Sequence, residues 1–452
     1  MTPDDTDKLD LEGPLGTTGG SGGPDSRETI DMANPSHHDW QRDTVGAQPL
    51  EPKPNASPNG ESNCPIFRVS GLNPFGPEEV NFQIKESLGV GGMGSVHSAT
   101  QMFMMRDVAI KRSHDAGGRG PTFSSVIEEG RRFGRLDHPN IPPVHMVGMD
   151  ESGHAILVMK RIEGTDLHSM LQNPKHHRWD EVEGDRQMWT LDVIIQICRA
   201  LEHAHSRDVL HRDIKTDNVM IGDFGQIFLI DWGVSIDLTD HKATKTTSKF
   251  VGSPCFAAPE MATPHSTLAP VTDVYLLGAM LFEITTGTVP HAGRTIDAIL
   301  AKIKARQPVV IPPSVPPSLA SIVAKAMAPE PVNRYADVSA LRLAVQEYKA
   351  DHFLIEQLSI AESQISTLRQ WLDEERTDRQ TGYNFMTLAH EALAVLKTVI
   401  RGGVRVRYAQ RLIMHNLRIQ TEYSILVRQF GVAKILVAKL VDELGPDVDW
   451  VN

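Results

Sequence analysis

Between apolar flanks, the stretch from Val209 to Met220 carries a carboxylate (Asp213), an ammonium group (Lys215) and a carboxamide (Asn218) on one short loop. These types at this spacing suit phosphoryl transfer. The carboxylate would orient an attacking hydroxyl and accept its proton. The amide oxygen would serve a divalent cation, and the ammonium group would stand beside the developing negative charge.

Such a loop needs partners to hold a phosphate chain, and the N-terminal half offers them. Phe82–Leu88 alternates apolar and polar as a half-buried strand does and runs into Gly89-Val90-Gly91-Gly92-Met93-Gly94-Ser95-Val96. Glycines there let backbone N–H groups approach phosphate oxygens with no Cβ in the way. Met93 to His97 continues as a strand instead of opening a helix, which favours a phosphate-covering hairpin over a dinucleotide-binding turn. Val108-Ala109-Ile110-Lys111 is the next strand. Together with His211-Arg212-Asp213, His138-Pro139-Asn140-Ile141 and Ala258-Pro259-Glu260, these motifs make residues 80–350 resemble the bacterial, eukaryotic-like serine/threonine protein kinases.

That resemblance implies an α+β, two-lobed fold: a small β-rich lobe, a larger helical lobe, and ATP with Mg²⁺ between them. Lys111 is implied to hold the α- and β-phosphates, with Asp213 as the catalytic carboxylate and Lys215 beside it. Glu129, counted back from His138, is the implied partner of Lys111 on a helix from about Thr122 to Leu136, and Glu128 competes for the role. Gly130 interrupts that helix at a cost of roughly 1 kcal/mol relative to Ala, so the helix is expected to depend on docking. The nucleotide is implied to lie under Leu88, Gly89, Gly91, Gly92, Gly94 and Val96 and against Ala109. Met159 would stand at the gatekeeper position, with the hinge backbone from Lys160 to Ile162 facing the adenine. Asp166 is either a ribose contact or a plain helix N-cap.

Asn218 and Asp231 are the implied metal ligands. The chain does contain Asp223-Phe224-Gly225, the family's usual metal-binding triplet, but as a turn between the strands Val219–Ile221 and Gln226–Ile230. The assignment therefore falls on Asp231-Trp232-Gly233 after the second strand, with Trp in place of Phe. Residues 234–257 would form the activation segment. A phosphate on Thr244, Thr246, Thr247 or Ser248 could pair with Arg212. Ser253 stands where most relatives have Thr. Asp273 is expected to brace the catalytic loop, and Arg334 to pair with Glu260. Leu191–Ser206 reads as a core helix in which His203 and His205 pack, and Asn173–Gln187 as an exposed insertion.

The 452 residues are 40% hydrophobic and 23% charged, and a formal net charge of −12 argues against non-specific nucleic-acid binding. Cys64, Cys198 and Cys255 have neither disulfide-framework nor zinc spacing, so a reducing, cytoplasmic setting is expected. The acidic N-terminus is no export signal. No apolar run reaches the ~20 residues of a membrane span, since even Ala389–Ile400 is broken by Glu391 and Lys397.

Residues 1–78, rich in Gly, Pro, Ser, Asp and Asn, are expected to be a disordered tail, and 79–350 the catalytic domain. Residues 351–452 are expected to be a helical extension, with Leu354, Leu358, Ile365, Leu368 and Leu372 near heptad spacing. Within it Arg401, Arg405, Arg407 and Arg411 form either a solvated face or a docking surface for an acidic partner. The function expected is phosphorylation of Ser or Thr on protein substrates in signalling, with autophosphorylation, because tyrosine kinases of this superfamily usually lack Lys215. Self-association through the C-terminal helices is a further expectation. The rival reading, a pseudokinase scaffold, typically lacks one of the positions filled here by Lys111, Asp213, Asn218 and Asp231.

Overall fold

The computed structural model describes residues 66–69, 80–92, 94–247 and 249–429, together with 432, 433, 435, 436, 438 and 439. Strands β1 (Ile66–Val69), β2 (Val80–Gly91), β3 (Gly94–Gln101), β4 (Arg106–Ser113), β5 (Val144–Met149) and β6 (Ala155–Lys160) form one antiparallel sheet, ordered β1-β2-β3-β4-β6-β5. Strand alternation sorts the side chains. Val108, Ile110, Ile156 and Val158 join Phe82, Ile84 and Ala99 in a small core on one face. Ala109 and Lys111 point to the other, opposite Met159 and Val96 in register. Strand β1 falls inside the span 1–78 expected to be a disordered tail; the rest of that span lies outside the described residues.

Helix α1 (Pro121–Phe133) begins with proline, whose missing N–H costs nothing in the first turn. It ends three residues earlier than the pattern suggests, at Gly134. A Cβ on Gly130 would lie 2.4 Å from Val147 Cγ2 and 3.2 Å from Leu157 Cδ1. Glycine is therefore what lets α1 lie against β5 and β6, and this packing offsets its poor helix propensity.

The larger lobe contains β7 (Gly164–Asp166), α2 (Leu167–Gln172), α3 (Arg186–Ser206), β8 (Val209–Leu210), β9 (Val219–Gly222), β10 (Ile227–Leu229), β11 (Ile236–Asp237), α4 (Pro259–Ala262), α5 (Pro270–Thr286), α6 (Ile296–Lys304) and α7 (Pro317–Ala326). Two small sheets, β10-β9-β7 and β11-β8, shape the loops of the cleft. Helix α5 is buried continuously from Thr272 to Glu283, the pattern of a helix surrounded by protein. Its buried Glu283 accepts from Thr216 Oγ1 at 2.6 Å and lies 3.1 Å from His168 Nδ1. The stretch 173–187 is mostly exposed, as its composition leads one to expect, with one buried anchor. Trp179 is only 6% exposed, donates from Nε1 to Met170 O at 2.8 Å, and meets Trp189 edge-on, so the insertion is anchored in the core.

Helix α8 (Val338–Asp373) runs through residue 350 without a break. Val338, Leu341, Val345 and Tyr348 belong to the core of the larger lobe. Leu358, Ala361, Ile365, Leu368 and Leu372 belong to a second core, completed by α9 (Arg379–Arg401) and α10 (Val406–Leu426). Each such aliphatic side chain buries about 1.5–3 kcal/mol of apolar transfer energy, and the two cores share no buried residue. Truncation after residue 354 is expected to leave a soluble kinase-lobe pair that unfolds cooperatively; loss of all soluble protein would show that the bundle completes the lobe.

A second expectation concerns pH. His291 is buried with Nε2 2.8 Å from Tyr275 Oη, and burial, helped by Lys302, pushes its imidazole from 6.5 down to about 4. The unfolded chain therefore binds a proton that the fold excludes, and this contribution to stability is complete above pH 6.5. Urea-unfolding stability should fall by up to about 3 kcal/mol as pH drops from about 6.5 towards about 4. His291→Gln should flatten that part of the profile, and an unchanged slope would refute the assignment.

Candidate active site

Strand β8 leads into the loop at His211, and Asp273 on α5 takes hold of its backbone. Oδ2 accepts the N–H of His211 and Oδ1 that of Arg212, each at 3.0 Å. Oδ2 also lies 2.8 Å from His205 Nε2. Burial would raise this carboxyl's pKa, yet the hydrogen bond and charge of His205 hold it below the ordinary range. Arg212, so gripped, adopts a left-handed φ of 69°.

The next residue is Asp213, and its carboxylate is surrounded by donors. Oδ1 accepts the Ser253 N–H at 2.9 Å, and Oδ2 accepts Asn218 Nδ2 at 3.1 Å. Lys215 Nζ lies 3.8 Å from Oδ2 and donates to Ser253 Oγ at 2.9 Å. Burial works against the Lys215 charge, but Asp213 and Asp217 overcome it and raise its pKa. The Asn218 amide also donates to Asp213 O at 2.7 Å, which leaves its carbonyl oxygen for another partner.

Across the cleft, Lys111 Nζ lies 2.7 Å from Glu129 Oε2, 2.9 Å from Oε1 and 3.7 Å from Asp231 Oδ1. Glu128, one step round the helix, is 62% exposed and pairs with Arg132 at 3.5 Å, so Glu129 alone of the two faces the lysine. Burial opposes the charge on Lys111, and Glu129 and Asp231 more than restore it.

Asp231 adopts φ 57°, with its side chain 51% exposed to the cleft. Desolvation pushes its pKa up, while Lys111 and Lys215 hold it below the ordinary carboxylate range. The adjoining Trp232 is fully buried. Its ring stacks on Phe133 of α1 at 6.0 Å and meets His211 edge-on at 4.5 Å, and Nε1 donates to Leu229 O at 3.2 Å. Asp223 is elsewhere: it pairs with Arg178 of the insertion, and Phe224 beside it is 99% exposed.

On the nucleotide side, a Cβ on Gly94 would lie 2.1 Å from Arg112 O, so that glycine permits the close β3–β4 pairing. Gly89 and Gly92 face open space, and Gly91 nearly so. Leu88 is 48% exposed on the same strand, and Val96, Ala109, Met159 and Ile162 are at least half-buried along the cleft face and hinge. The Lys160 side chain turns behind the hinge, where Nζ donates to Gln226 Oε1 at 3.0 Å and lies over Phe228. A cavity of about 530 Å³ lies there, between His138, Asn140 and Phe228, separate from the cleft. Asp166 caps α2, accepting from Ser169 N and Oγ at 2.7 Å each.

A protein kinase domain model matches residues 82–354, more than half of the chain. The chain belongs to the protein kinase family. Its relatives include the serine/threonine-protein kinase PknH of Mycobacterium bovis, 33% identical over 296 residues that cover 64% of this chain and 46% of the relative. PknH of Mycobacterium tuberculosis matches equally, with 44% of the relative covered. The serine/threonine-protein kinase PknD of Chlamydia trachomatis is 30% identical over 295 residues, covering 59% of this chain and 31% of the relative. The chain thus spans less than half the length of these curated relatives.

The segment after Trp232 is stitched to the larger lobe. Lys245 bridges Thr267, and Thr246 Oγ1 donates to Thr263 O at 2.6 Å. Thr244 is buried and Thr247 exposed; Ser248 lies outside the described residues. Arg212 donates from Nε to Val234 O at 2.6 Å, and burial pushes its guanidinium down to about 10. Glu260 and Arg334 form a two-pronged buried pair at 2.7 and 2.8 Å. One clamp had no signal in the sequence: Arg112, next to Lys111, donates to Asp150 Oδ2 and lies against His154 Nδ1, both at 2.7 Å, and so fixes the end of β4.

For the kinase site, Glu129→Ala would leave a buried ammonium group without its nearest counter-charge. Phosphate transfer from labelled ATP should fall by at least ~100-fold, whereas Glu128→Ala should stay within a few-fold of the parent. Equal effects at the two positions would overturn the pairing.

Proposed function

We propose that this chain transfers the γ-phosphoryl group of ATP to serine and threonine hydroxyls of protein substrates, including its own activation segment. The observation that carries the reading is the convergence of Asp213, Lys215, Asn218 and Ser253 on one wall of a cleft whose other wall holds Lys111, Glu129 and Asp231. Every position that a pseudokinase typically loses is filled. The relatives' names, serine/threonine-protein kinases, support the acceptor class.

The residues divide the work. Asp213 accepts the proton of the acceptor hydroxyl as its oxygen bonds to phosphorus and the bond to the β-phosphate oxygen breaks, releasing ADP. Lys215, kept protonated by its acidic neighbours, steadies charge at the transferring group. Lys111 holds the α- and β-phosphates from above, and Glu129 keeps the ammonium group aimed. Among the described residues no group of three or more His, Cys, Asp or Glu side chains is arranged to hold a metal unaided. The cleft instead offers two hard oxygen donors, the half-exposed Asp231 carboxylate and the Asn218 carbonyl, a set suited to Mg²⁺ that shares its shell with substrate phosphates. When bound, the ion would neutralise phosphate charge. Of the described candidates Thr244, Thr246 and Thr247, Thr247 is the exposed one. The reduced state of buried Cys198 and Cys255 fits a cytoplasmic setting.

With labelled ATP and a generic basic protein, Asp231→Asn should reduce turnover by at least ~100-fold. Asp223→Asn removes only the pair with Arg178 and should stay within a few-fold. The reverse pattern would overturn the metal assignment, and a parent chain that transfers no phosphate would leave the scaffold reading standing.

A further inference from the structure

Between Glu391 and Glu422 the chain carries Lys397, Arg401, Arg405, Arg407, Arg411 and Arg418 and no acidic residue, in a protein of net charge −12. Arg418 is bonded to Glu422 at 2.9 Å. Other ion pairs of the bundle join Arg369 to Asp373 and Glu422, and Arg376 to Glu374. Among the described residues none reaches Arg401, Arg405, Arg407 or Arg411, all of which are exposed. Arg401 closes α9, and the other three open α10 after the turn at Gly402 and Gly403. That turn packs on α8, where a Cβ on Gly402 would lie 2.3 Å from Leu354 Cδ1. Tyr408, between the arginines, is 41% exposed, and its hydroxyl is hydrogen-bonded to Glu362 of α8.

We propose that this end of the helical bundle docks peripherally on a membrane surface rich in anionic phospholipid. Unpaired guanidinium groups are complementary to headgroup phosphates, which they can bind with two N–H donors each. The exposed ring of Tyr408 among them suits the boundary between headgroups and acyl chains. The four arginines stand exposed along the end of α9 and the start of α10, a spread that suits an extended surface over a small anion. An acidic protein segment would match the charge but would give the exposed Tyr408 ring no role. No described helix is long and apolar enough to cross a membrane, so the contact is peripheral. Each arginine near an anionic surface favours partition by about fivefold, so four together give on the order of several hundredfold.

The test is sedimentation of the purified full chain with phosphatidylcholine vesicles, with and without phosphatidylglycerol. The parent is expected to bind the anionic vesicles at least ~100-fold more strongly than the neutral ones, and to be released by high salt. The combined variant Arg401→Gln, Arg405→Gln, Arg407→Gln, Arg411→Gln should lose that preference. The matching four Arg→Lys changes should keep most of it, and Tyr408→Ser should weaken it several-fold. Peptide phosphorylation without vesicles should be unchanged in every variant, since none of these residues lies in the cleft. Equal binding to neutral vesicles, or retention by the Gln variant, would overturn the proposal. So would capture of an acidic peptide such as polyglutamate through the same arginines with no vesicle binding, which would assign the surface to a protein partner. Should the Gln variant fold poorly, the salt dependence of the parent and the behaviour of the Lys variant decide the matter.

Discussion

A fully buried carboxylate, that of Asp273, is the constraint on which the geometry of the cleft rests. A charge taken out of water is tolerated only when its lone pairs are filled, and here the donors are the His211 and Arg212 N–H groups and the His205 ring. The loop cannot leave without stranding that charge. Packing carries the constraint further: the His211 ring meets Trp232, Trp232 stacks on Phe133, and Phe133 belongs to α1, the helix that presents Glu129 to Lys111. The two walls of the cleft are thereby connected through buried contacts and not through the hinge alone.

Two residues of the cleft sit in backbone conformations that side chains disfavour, Arg212 at φ 69° and Asp231 at φ 57°. Left-handed backbone costs a non-glycine residue roughly 1 kcal/mol or more, so each must be held by its surroundings. Asp273 holds the first. Trp232 holds the second, and its indole N–H adds a bond to Leu229 O that a phenylalanine could not make. The exposed Asp223-Phe224-Gly225 turn has the letters of the usual triplet and none of this support, for its Phe224 is packed against nothing that would bury it.

The C-terminal bundle is joined to the kinase lobes by one helix that serves two cores. Its own interior includes a polar stripe on α10, Asn416, Gln420 and Ser424, all buried. Asn416 donates to Ala389 O at 3.1 Å, Gln420 to Asn416, and Ser424 to Gln420 O. A buried amide bonded across helices rewards one alignment and penalises others, so this stripe sets the register of α10 against α9.

Spacing and periodicity in the sequence determined strands β2, β3 and β4 of the small sheet, the core helix α3 of the larger lobe, the order of the cleft motifs and the departure at Trp232, because each depends on near neighbours along the chain. Asp273 as the brace and the Glu260–Arg334 pair were also legible, through family resemblance. Only the tertiary structure decided between Glu128 and Glu129, since adjacent helical residues diverge by about 100° and docking chooses which one faces the lysine. It likewise decided that Asp166 caps α2, that Trp179 anchors a stretch whose composition is polar, that His205 completes the shell of Asp273, and that α8 passes through the expected domain boundary unbroken. Each of those outcomes depends on which distant segment packs alongside, and a local pattern of residue types carries no record of that partner.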